Sequence, residues 1–175
     1  MKYNKLTLKA QVCLAFATSN HSLRFLERTK ATQHGEEEGR EIYEWFIRGF
    51  NCVQNWLKGD DVDSFAFYED FIEAQIPIYN GYYNAYKQPR EANAYFACLS
   101  FLYFSCKNMI QLDWNNDNNL QYKRFPSDIA EVDTNTLRRC LNYAQQTSEN
   151  PKSRKSLARP NHCPIAERSL YRRPG

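Results

Sequence analysis

At 175 residues the chain suits one independent core, since a body of about 150 residues hides roughly 70% of the surface its unfolded chain exposes. Hydrophobic residues make up 42% of it, yet no apolar run reaches the ~18 residues of a membrane-spanning helix, because Asn93, Ser100, Ser105 and Lys107 interrupt the longest stretch, 92–109. The net charge of +3 hides an asymmetry: residues 149–175 hold seven Lys/Arg against Glu149 and Glu167, leaving sixteen basic and eighteen acidic residues in 1–148, so the body is not a basic nucleic-acid domain.

The basic start, Met1 and Lys2 through Lys5, precedes an apolar stretch at 12–17 that is too short for a signal peptide and lacks an A-x-A-like cleavage site. A cytoplasmic protein is the expectation. Residues 6–30 read as a helix with Leu8, Val12, Ala15 and Phe16 on one face. A break is expected over the polar run 19–22, beyond which Leu23 and Leu26 resume the pattern.

The second helix, 36–58, carries the clearest signal. Ile42, Trp45, Phe46, Gly49, Cys52, Val53, Trp56 and Leu57 recur at steps of three and four, which lines one helical face and no strand face. Glu36, Glu37 and Glu38 suit the positive first turn, and Lys58 with Gly59 gives a C-terminal stop. The opposite face holds Glu37, Glu41, Glu44 and Arg48.

Asp63 or Ser64 caps a shorter helix to Glu73, with Phe67, Phe71 and Ile72 turned inward. After Pro77, residues 79–86 read as a helix with Tyr79, Tyr83 and Tyr86 on one side. Pro89 opens the next helix, which runs to about 112 and is apolar almost all round, the mark of a central element. The Asn- and Asp-rich stretch 113–121 reads as a loop, and Pro126 with Ser127 and Asp128 opens a short helical turn. Asp133 caps a last helix to about 146, with Leu137, Cys140, Leu141 and Ala144 inward. The fold expected is all-α: a single-domain bundle of about five to seven helices over 1–148, followed by a flexible, basic, proline-containing tail over 149–175.

Chemistry finds little purchase. Cys13, Cys52, Cys98, Cys106 and Cys140 sit in apolar helical stretches without a C-x-x-C pair, so they read as buried, reduced hydrophobes with suppressed thiolates. His21, His34 and His162 share no ligand spacing, and no P-loop, G-x-S-x-G or G-x-G-x-x-G occurs. No catalytic residue, metal site or cofactor is therefore expected.

The run Asp60, Asp61, Asp63 resembles a cation-binding segment. Glu69, Asp70 and Glu73 follow too closely to face it across a cavity, so a helix start stabilised by negative charge or a partner contact fits better. Most of the aromatic residues fall on helical stripes and read as core. The exception is Tyr79, Tyr82, Tyr83 and Tyr86, which cannot all face inward on one helix and form the expected aromatic contact patch.

The run Asn55, Trp56, Leu57, Lys58, Gly59 closing one helix, followed by Phe67, Tyr68, Glu69, Asp70, Phe71 in the next, resembles an all-helical family of bacterial immunity proteins, immunity protein six, from polymorphic-toxin systems. The apolar helix entry at 92–97 and the stretch 126–133 extend the likeness over about 6–144, leaving the tail outside it. The resemblance implies stoichiometric neutralisation of a cognate protein toxin, such as a cationic nuclease. Its contact face would be Glu37, Glu41, Glu44, Asp60, Asp61, Asp63, Glu69, Asp70 and Glu73 with the tyrosine patch. The competing reading is a nucleic-acid-associated helical protein that uses its basic tail. A metal-dependent enzyme centred on Asp60, Asp61 and Asp63 comes third.

Overall fold

The computed structural model of the chain describes residues 5–33, 37–73, 86, 88–116, 127–130 and 132–148. The first helix, α1 (Leu8–Glu27), begins where Thr7 leaves extended backbone and its hydroxyl accepts the Ala10 N–H at 3.2 Å, an N-cap. The break expected at 19–22 does not occur. Ser19 and Ser22 are fully buried, and Ser19 Oγ faces the Ala97 carbonyl at 3.5 Å, so these serines mark a helix crossing rather than a turn.

One turn, α2 (Lys30–Gln33), leads to α3 (Glu37–Lys58). Gly59, at φ 99°, ends α3 in the left-handed region that side chains avoid. Its N–H bonds the Trp56 carbonyl at 3.0 Å while the Asp60 N–H reaches the Asn55 carbonyl at 3.1 Å, the paired bonds of a Schellman stop. Asp63 caps α4 (Ser64–Tyr68), its Oδ1 accepting the N–H groups of Phe65 and Ala66 at 2.9 and 3.0 Å. The chain then widens into a π-helical turn, Glu69–Glu73.

The central helix, α5 (Pro89–Asn116), runs one turn beyond its expected end. Leu112 and Trp114 pack on the core, and the Trp114 ring lies 6.3 Å from that of Phe65. Burial of these two side chains overrides the loop-like composition that follows them. A short turn, α6 (Ser127–Ala130), precedes α7 (Thr134–Ser148). Asp133 caps α7 by accepting the N–H groups of Asn135 and Thr136 at 2.8 and 3.2 Å. The described residues contain no strand, and no helix among them is long and apolar enough to cross a membrane.

α5 is buried from Ala92 to Cys106 without interruption, including Asn93, Ser100 and Ser105. It packs against α1 and α7, with α3 and α4 closing the remaining sides. Both α1 and α7 run antiparallel to it. Arg90 Nε donates to the Thr147 carbonyl at one end, and Lys107 Nζ donates to the carbonyls of Ala130 (2.8 Å) and Val132 at the other. Arg90 also lays its guanidinium 4.5 Å from the Phe25 ring centre, joining α1 to the same end.

Where α1, α3 and α5 meet, the rings of Phe50 and Phe101 lie tilted at 49° with centroids 4.4 Å apart, and the Phe16 ring centroid lies 5.8 Å from each. Gly49 permits this approach, because a Cβ there would lie 2.9 Å from both Leu102 methyls. Each large side chain buried in this way contributes about 1.5–3 kcal/mol.

Candidate protein-binding surface

The carboxylates expected on one contact face divide between two places. Glu41 and Glu44 are exposed on α3, but their stripe also exposes Arg40, Arg48 and Lys58, so that face is mixed rather than acidic. With a rise of 1.5 Å per residue, Glu44 stands roughly 20 Å up the helix from its C-terminal end, where Asp60 lies. Glu37 opens α3, and Glu73 closes the π-helical turn.

Asp60, Asp61 and Asp63 are exposed on the link from α3 to α4, and Glu69 and Asp70 are exposed on the turn that follows. Asp63 already accepts the two N–H groups of its cap, which gives it a structural role. Asp113, in the last turn of α5, joins this corner. Burial raises its carboxyl above the usual range, a hydrogen bond with Ser64 lowers it, and the neighbouring charges of Asp63 and Asp61 raise it further. Asp113 was missed because 113–121 reads as a loop. The signal that could have found it is the helical rhythm through Cys106 and Met109, which lands on position 113 one turn later.

Neither 59–73 nor 108–116 contains a lysine or arginine. The corner also lies at the C-terminal end of α5, the negative end of its dipole, where a cationic side chain would be the stabilising choice. The fold thus brings Asp61, Asp63 and Asp113 near one another, with exposed Lys58 at the end of α3 and Lys9, 5.4 Å from the Trp56 ring centre, as the nearby cations.

The tyrosine patch requires correction. Tyr86 is fully buried: its hydroxyl donates to the Gly39 carbonyl at 2.9 Å and lies 3.0 Å from Thr32 Oγ1, and its ring meets Tyr95. Burial drives its phenol far above the ordinary value. It is therefore a core pin between α2 and α3, not a contact residue. Tyr79, Tyr82 and Tyr83 lie outside the described residues, as does most of the helix expected over 79–86.

The five cysteines among the described residues are free, with Cys98, Cys106 and Cys140 buried and Cys52 half-buried. Cys13, by contrast, is exposed on the outer face of α1, against its reading as a core residue. Burial pushes the Cys140 thiol up to about 12, and burial with the nearby Asp70 pushes Cys52 up to about 11, so neither is an activated nucleophile. Among the described residues no group of three or more His, Cys, Asp or Glu is arranged to hold a metal ion. Comparison of the chain with protein-family models, curated proteins and solved structures finds no match, so a functional reading rests on the residues and their geometry.

Proposed function

We propose that the protein works by binding another protein, as an immunity protein that neutralises a cationic toxin by stoichiometric contact, with no catalytic step of its own. The observation that carries this reading is the group of exposed Asp60, Asp61 and Asp63 on the link after α3, with Asp113 of α5 close to Asp61 and Asp63. A face of one sign steers an oppositely charged partner and disfavours mismatched ones. The helical motif around Trp56 and Gly59, with its likeness to immunity proteins, supplies the kind of partner.

The test is co-expression with the toxin-like product of a neighbouring reading frame, followed by binding measurements with the purified pair. Growth rescue and a complex that weakens as salt rises are expected. Asp60→Lys with Asp61→Lys should weaken the complex by at least about tenfold at low salt, with far-UV circular dichroism unchanged. Failure to rescue overturns the immunity reading, and unchanged affinity of the double variant overturns the acidic corner as the contact.

A further inference from the structure

We draw no further inference here: the strongest candidate, the outer surface patch of α1 where Cys13 and Ala17 are exposed one turn apart beyond the exposed Leu6, is a stripe of small side chains around a lone cysteine, and nothing in the structure shows what covers it.

Discussion

Ser19 on α1 and Cys140 on α7 meet at 2.9 Å, hydroxyl oxygen to thiol sulfur, with neither side chain reaching solvent. Cys140 also faces the Ala97 carbonyl at 3.6 Å, so its sulfur is held where the three principal helices converge. Burial pushes this thiol up to about 12 and raises that of Cys98 well above its ordinary value. In a Cys163→Ser background, a thiol reagent at neutral pH should modify Cys13 rapidly and Cys52 slowly. Cys98, Cys106 and Cys140 should react only as fast as the protein unfolds. Peptide mapping by mass spectrometry reads the order, and fast native labelling of Cys140 would contradict this packing.

Asp113 makes stability depend on pH in a direction opposite to that of a salt-bridged carboxylate. Its pKa is raised in the folded state, so the folded form binds the proton more tightly than the unfolded chain does. The resulting stabilisation is complete below the ordinary carboxyl value of 3.8 and is lost as pH rises through the folded value. Asp113→Asn keeps a side chain able to bond Ser64 and removes the charge facing Asp61 and Asp63. It should melt above the parent at neutral pH, with the gap closing as the solution is acidified. An equal gap at all pH values would show that charge is not the cause.

Lys107 closes the corner between α5 and α7 by donating to the carbonyls of Ala130 and Val132. Burial lowers its pKa, while the nearby Asp133 opposes that shift. Lys107→Met retains the packed stem and leaves both carbonyls without this donor. A loss of about 1–3 kcal/mol is expected in urea unfolding. Hydrogen exchange should quicken first at the start of α7, and a neutral outcome would mean that water replaces the ammonium without cost.

Gly49 sets two opposing effects against each other. Alanine there gains about 1 kcal/mol of helix propensity, but its methyl would stand 2.9 Å from Leu102 and 3.3 Å from Phe71. Leu102 is fully buried and has little room to yield. Gly49→Ala should therefore fall near balance. Gly49→Val, bulkier and β-branched, should lose roughly 1–3 kcal/mol by overpacking. Thermal melts of the pair decide whether α3 and α5 approach as closely as described.

Legibility followed the range of the interaction. α3 and α5 could be read because the spacing of Ile42, Trp45, Phe46 and Val53, and the unbroken apolar run of α5, are local in sequence. Gly59, Asp63 and Asp133 announced their helix ends through backbone chemistry alone. The break expected over 19–22 fails because Ser19 finds partners on two other helices, in Ala97 and Cys140, and Ser22 is small enough to be buried in the same helix face. Tyr86 looked surplus for the same reason, since its partners, Thr32 and Gly39, lie 54 and 47 positions away. At the acidic corner, Asp60 and Asp61 were visible as exposed charge. The approach of Asp113 was not, because it depends on α5 continuing past its expected end to reach the link before α4.

Arg90 governs how the molecule answers a pull on its C-terminal segment. Tension arriving at Thr147 passes through that carbonyl into the start of α5, and across the guanidinium into the Phe25 ring of α1. Load entering there is shared among α7, α5 and α1 before it reaches the earlier turns of α7. Whatever grips the chain beyond Ser148 would tug on the entire body, and the clasp makes that handle a stiff one.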